Sequence, residues 1–178
     1  MVANIFHDHG LWLGPTKRGD TFNRKGYFEN NPLKERMKKT HGFDVSGPMP
    51  ETKSEWKGIV RGILEAQKYS GGSWGFKTGV HYWNVWGDFE PIFIKVMRNR
   101  ESIVKSYRRY GGVFPKHGVK FIDRGLEKLR ELPGFEIDAD RLISGDRNQI
   151  MDALEGCGFH YRDDIVTDII DSGLWNES

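Results

Sequence analysis

The chain has 178 residues, with 27 lysines and arginines against 25 aspartates and glutamates, and a formal net charge of +2 at neutral pH. That length fits one domain, residues 1–178, able to bury most of the surface it would expose unfolded. Cys157 alone excludes a disulfide framework, and with no charged-then-apolar leader and no apolar run near ~18 residues the composition points to a soluble, cytoplasmic protein without a membrane partner.

In chain order, Val2, Ile5, Phe6 and His9 mark one face of an opening helix that stops at Gly10. His7, Asp8 and His9 are adjacent, whereas a ligand pair on a helix needs i, i+4 spacing, so no metal site is read there. Gly10 to Asn31 is a long glycine-rich loop holding Leu11-Trp12-Leu13-Gly14-Pro15 and Asn23-Arg24-Lys25-Gly26-Tyr27-Phe28-Glu29, and its aromatics predict a packed, functional loop. Asn31-Pro32 opens a short basic surface helix through about Lys39. After a loop from Gly42 to Pro50, a helix starts near Thr52 or Ser54. Its Trp56, Ile59, Val60, Ile63 and Leu64 form a core-facing stripe, ended by Gly71-Gly72.

Ser73 to Gly79 reads as a strand running into a turn, and the aromatic cluster His81 to Trp86 follows. Ile92 to Met97 is β-branched and apolar with one lysine, which predicts a strand buried on both faces of a parallel sheet. Arg98 falls where that strand leaves the sheet, and a helix begins near Arg100. Ligands gather beyond the carboxyl ends of strands in open α/β sheets, and a helix N-terminus there offers N–H groups to an anion, phosphate above all. Ser102 and Ser106 share a face of that helix at i, i+4, and helix side chains lean back towards the N-terminus, here towards Arg98. Lys95, Arg98, Arg100, Lys105, Arg108 and Arg109 cluster in the same stretch. That suits a nucleotide or a nucleic-acid backbone, although the overall charge argues for neither.

Beyond Gly112 an amphipathic helix carries Val119, Phe121, Ile122, Leu126 and Leu129 and closes at Pro133-Gly134. Phe135 to Asp138 is a short strand, and Asp146 is placed to cap a helix through Cys157, itself read as core.

Several of these segments together resemble the sulfotransferase family. Arg98-Asn99, followed by Ser106-Tyr107, resembles the family's 3′-phosphate-binding segment, with Arg100 where the family usually has proline. Asp8 to Gly14 and Asn23 to Asn30 resemble the passage that runs, in bacterial-type members, from the P-loop helix into a Gly-Tyr-Phe-Glu loop. Lys77-Thr78 resembles two letters of the family's Lys-Thr-His motif, and Ala139 to Asp146 with Gly156-Cys157-Gly158-Phe159 resembles its closing passages. Arg24-Lys25-Gly26 matches a tripeptide of animal cytosolic members in letters only, and no role is carried to it.

The resemblance implies an α/β fold of three layers, a mostly parallel sheet flanked by helices, with strands near Trp74 to Thr78, Ile92 to Met97 and Phe135 to Asp138. It implies a P-loop fold shortened at its N-terminus, because the family's first strand and phosphosulfate loop would precede residue 1. Arg98 and Ser106 would hold the 3′-phosphate of phosphoadenosine phosphosulfate, and Lys77 would stabilise charge on the sulfuryl group. His81 stands two residues later than the family's histidine. It is either the general base that takes the acceptor's proton or a histidine packed among aromatics by its ring face.

Two functions follow from different classes. One is sulfuryl transfer from phosphoadenosine phosphosulfate to an unknown hydroxyl or amine acceptor, with no turnover expected from a chain lacking the P-loop. The other is a non-catalytic module of the same fold that binds a 3′-phosphorylated adenine nucleotide or another protein. A missing central strand would leave unpaired edges, for which a homo-oligomer is one remedy. Nucleic acid is the least favoured partner; steep salt dependence would mark it, whereas a requirement for the 3′-phosphate would mark the nucleotide.

Overall fold

The computed structural model describes residues 1–15, 28–41, 53–109 and 118–171. The sequence readings that fall on Asn23 to Tyr27, on Gly42 to Pro50 and on Tyr110 to Gly112 lie outside the described residues, as do the side chains of Tyr107, Arg108 and Arg109. Along the described residues run α1 (Val2–Asp8), α2 (Asn31–His41), α3 (Lys53–Ala66), α4 (Trp83–Trp86), β1 (Ile94–Met97), α5 (Arg100–Arg109), α6 (Gly118–Glu131), β2 (Phe135–Asp138), α7 (Ala139–Ile143), α8 (Asn148–Gly156) and α9 (Asp163–Asp171). This is a mixed α/β arrangement, and the chain divides into two units, Met1–Pro91 with Arg162–Ser178, and Ile92–Tyr161. Among the described residues no helix is long and apolar enough to cross a membrane.

In the first unit Val2, Ile5 and Phe6 of α1 and Val166, Ile169 and Ile170 of α9 are buried where the two helices pack. His9 closes this contact with both ring nitrogens. Nδ1 donates to the Ile5 carbonyl at 2.7 Å and Nε2 accepts the Arg162 backbone N–H at 3.2 Å, so both ring nitrogens are engaged within the protein.

The main core of this unit joins Leu33 and Met37 of α2, Trp56, Val60 and Leu64 of α3, and Val85 and Trp86 of α4. The helical stripe read from the sequence of α3 is therefore the buried one. Trp86 is its hub, with ring centroids 5.8 Å from Trp56, 5.0 Å from Phe76 and 5.7 Å from Phe89, and an edge-on contact to Trp74 at 6.2 Å. Asn30 is buried in front of α2. Its Oδ1 accepts the Leu33 N–H at 3.3 Å, capping the helix, and its amide exchanges two hydrogen bonds with Gln67 at 2.7 and 2.9 Å.

The strand expected over Trp74 to Thr78 is not formed. It is reduced to one parallel bridge between Trp12 and Trp74, held by Trp12 N–H to Ser73 O at 3.3 Å and Gly75 N–H to Trp12 O at 2.9 Å. The aromatics of this stretch are core-facing, since Trp74 and Phe76 both pack against Trp86. Ring packing, rather than a hydrogen-bonded ladder, keeps the stretch extended.

In the second unit β1 and β2 pair in parallel, with Ile94 opposite Phe135, Lys95 opposite Glu136, Val96 opposite Ile137 and Met97 opposite Asp138. Parallel neighbours need a crossover connection, and the segment bearing α5 and α6 supplies it. Ile122 and Leu126 of α6, Ile137 of β2, Ala139 and Leu142 of α7, and Ile150, Ala153 and Leu154 of α8 are among the buried apolar residues of this unit, with Leu132 just after α6. The expectation that β1 is buried on both faces needs correction. Among the described residues β1 has one neighbouring strand, and Ile92 and Val96 remain 57% and 43% exposed. Lys95 is buried instead, because alternation turns it away from that face, and its ammonium pairs with Glu136 across the register at 3.6 Å. Gly134, with φ +107, opens β2; a Cβ there would stand 2.2 Å from the Phe93 carbonyl oxygen, so only glycine lets the two strands start side by side.

Candidate functional site

Arg98 follows β1 directly, and Asn99 caps α5, its Oδ1 accepting the Glu101 backbone N–H at 2.8 Å. The strand, turn and helix read from the sequence are all present. Arg100, standing where the resemblance expects proline, serves the fold. Its guanidinium makes a two-pronged contact with Asp123 of α6 at 2.6 and 3.2 Å, tying α5 to α6. Asp123 is held below the usual carboxylate range mainly by that hydrogen bond.

An internal anion already occupies part of this turn. Asp140, in the first turn of α7, accepts the Asn99 backbone N–H at 3.0 Å and lies 3.5 Å from the Arg98 Nε. α7 is placed to do this by Asp138, whose Oδ1 accepts the N–H groups of Asp140 and Arg141 at 2.9 and 3.1 Å. Arg98 and Asp140 are both about two-fifths exposed, so the pair is loose and open to competition from a stronger anion. Ser106, on α5, makes no side-chain hydrogen bond among the described residues, which leaves its hydroxyl available. Of the six clustered cations, Lys95, Arg98 and Arg100 each face a carboxylate.

Lys77 and His81 belong to the first unit. Lys77 sits just ahead of the turn Val80–Tyr82, in which His81 lies. Its ammonium is 3.8 Å from Glu29 Oε1, while Lys34 of α2 bonds the other oxygen of the same carboxylate. The Thr78 hydroxyl reaches the Met37 sulfur at 3.9 Å, pinning this stretch to α2. The Lys77 side chain keeps 45% of its surface, yet protein atoms crowd its charged end. That burial lowers its pKa, Glu29 opposes the shift, and the charge of Lys34 adds to it. Burial also lowers the pKa of His81 and raises that of Tyr82, the latter opposed by Lys34. Whether His81 acts as a base or as a packed ring, its imidazole is neutral near pH 7.

Glu29 and Lys34 carry no signal in the sequence that marks them as site residues. Glu29 stands inside the Gly-Tyr-Phe-Glu stretch without a role, and Lys34 looks like one more solvated cation of a surface helix. Phe28, just before Glu29, has φ +50, a conformation bulky residues rarely adopt and one that clusters at functional sites. An open cleft of about 660 Å³ also lies on this unit, with Tyr69, Trp74 and Phe89 among its walls and Lys57, Arg61 and Glu65 along the α3 rim. None of the sequence-derived candidates lines it.

Comparison of the chain with protein-family models, with curated proteins and with solved structures finds no match. The sulfotransferase resemblance therefore stands on the motifs quoted above.

Proposed function

We propose that the chain is a sulfotransferase-like protein that binds a 3′-phosphorylated adenine nucleotide at Arg98 and Ser106. The observation that carries this reading is the turn after β1: a guanidinium, a capped helix N-terminus and a serine hydroxyl on the same helix, with the guanidinium held by a carboxylate that a phosphate can displace. A phosphate at this position would gain the Arg98 guanidinium and the Asn99 N–H, the two groups that Asp140 now shares. The same carboxylate partners of Lys95, Arg98 and Arg100 that reduce the basic field favour a compact anion over a nucleic-acid backbone.

Phosphoadenosine phosphosulfate would supply the activated sulfuryl group. Lys77 would stabilise negative charge on that group as a point-charge donor, and neutral His81 would accept the proton of a hydroxyl or amine acceptor. The finer fold that goes with this reading is the three-layer, mostly parallel sulfotransferase arrangement, of which β1 and β2 are two strands. The nucleotide half rests on the second unit and the lysine half on the first, so each is tested by itself.

The test of the nucleotide half is titration with adenosine 3′,5′-bisphosphate and with adenosine 5′-monophosphate at several salt concentrations. A preference for the bisphosphate that survives moderate salt supports the reading. Binding that ignores the 3′-phosphate and collapses with salt belongs to a polyanion surface instead.

A further inference from the structure

The grouping of Glu29, Lys34 and Lys77 carries more than the role assigned to Lys77. Two ammonium groups from separate segments converge on one carboxylate in a partly buried place, two positive charges meeting one negative. Side-chain exposures of 20% for Glu29, 35% for Lys34 and 45% for Lys77 leave room for a solute to reach all three. Lys34 also sits in the first turn of α2, the positive end of that helix, so the local field has the same sign as the two lysines.

We propose that Lys34 and Lys77, bridged by Glu29, form a binding site for a small tetrahedral oxyanion, either free sulfate or the sulfuryl end of a larger ligand. The inference rests on the proposed function for Lys77 and adds Lys34 as a second cation and Glu29 as the group that holds the pair apart when no anion is present. One carboxylate bridges the two ammoniums through its two oxygens, and a tetrahedral oxyanion does the same with oxygens to spare. Burial chiefly lowers the Lys77 pKa and the nearby charge of Lys34 adds to it, and an entering anion offsets that repulsion. Tyr82, whose phenol also feels the Lys34 charge, borders the same place.

The test is competitive acetylation of the chain, read lysine by lysine by mass spectrometry, in sodium sulfate and in sodium chloride of equal ionic strength. Sulfate is expected to slow modification of Lys34 and Lys77 relative to Lys57 and Lys120. In Glu29→Gln, which removes the competing carboxylate, the sulfate concentration giving half-protection is expected to fall by about threefold. In Lys34→Met, protection of Lys77 is expected to be lost, with a thermal melt confirming that each variant is folded. Equal modification in the two salts, or protection in Glu29→Gln no better than in the parent, overturns the proposal. Repeating the assay with phosphoadenosine phosphosulfate and adenosine 3′,5′-bisphosphate identifies the source: protection by the first alone assigns the anion to the donor's sulfuryl end, and protection by sulfate alone to the free ion. Bisphosphate binding that persists while sulfate protects neither lysine removes this site and leaves the nucleotide reading standing.

Discussion

Replacing Gly134 by alanine tests how the second unit is held together. At φ +107 an alanine would cost about 1–2 kcal/mol in backbone strain alone. Its Cβ would also meet backbone, 2.2 Å from the Phe93 oxygen and 3.0 Å from the Phe93 carbon, where no side-chain rotation can give way. Relief requires the start of β2 to move off β1, which breaks the Phe135 N–H to Phe93 O hydrogen bond, now 3.0 Å, at a further cost of about 1 kcal/mol. The total is about 2–3 kcal/mol, or a fall in melting temperature of roughly 4–12 °C for a chain of this size. Gly145 is the control, because its φ of +106 is nearly the same and a Cβ there meets nothing within 4 Å. Gly145→Ala should show the strain alone, a fall of roughly 2–8 °C and smaller than that of Gly134→Ala measured alongside it. Thermal melts by circular dichroism compare the two, and equal shifts would refute the claim that close strand approach, rather than backbone conformation, is what Gly134 provides.

Other expectations follow from the same contacts. Asp140→Asn removes the carboxylate that competes for Arg98 and the Asn99 N–H, so adenosine 3′,5′-bisphosphate should bind up to about fivefold tighter by calorimetry. Weaker binding would mean that Asp140 orients Arg98 for the ligand. Lys77→Ala should change stability by less than about 1 kcal/mol, since its ion pair is half-exposed and Glu29 retains Lys34; a collapsed melting temperature would make Lys77 a structural residue. For His81, burial favours the neutral ring in the folded state. Its contribution to stability is therefore present above the unfolded value of about 6.5 and is lost as pH falls through the lower folded pKa. An imidazole NMR titration giving a midpoint at or above 6.5 would contradict this.

The sequence disclosed most where local chemistry alone decides. The α3 stripe of Trp56, Val60 and Leu64, the β2 strand, and the passage from Arg98 into α5 all form as read, because periodicity and capping act over a few residues. It disclosed least where partners lie far apart in the chain. Lys95 is buried and Val96 exposed, a choice set by the pairing of β1 with β2 and by Glu136 on the neighbouring strand, neither of which the pattern of β1 itself contains. The Trp74 to Thr78 stretch reads as a strand from its aromatics, but those aromatics answer Trp86. Asp146, read as the cap of α8, stands one residue ahead of that position; Arg147 directly precedes α8, and Asp146 accepts the Asn148 N–H at 3.1 Å. At the candidate sites, Lys77 and Arg98 are visible through the resemblance. Their carboxylate partners Glu29 and Asp140 are not, since nothing in a single sequence tells an acidic residue of a loop or helix start which distant cation it will meet.

The central claim is that Arg98 recognises the 3′-phosphate of an adenine nucleotide, and the most direct measurement is calorimetric titration of the parent chain and of Arg98→Ala with adenosine 3′,5′-bisphosphate and adenosine 5′-monophosphate. A charged hydrogen bond contributes about 1.5–3 kcal/mol, so the parent should prefer the bisphosphate, and Arg98→Ala should bind it at least about tenfold more weakly while leaving any affinity for the monophosphate unchanged. Equal affinity of the parent for the two nucleotides, or a bisphosphate affinity untouched by Arg98→Ala, would contradict the account.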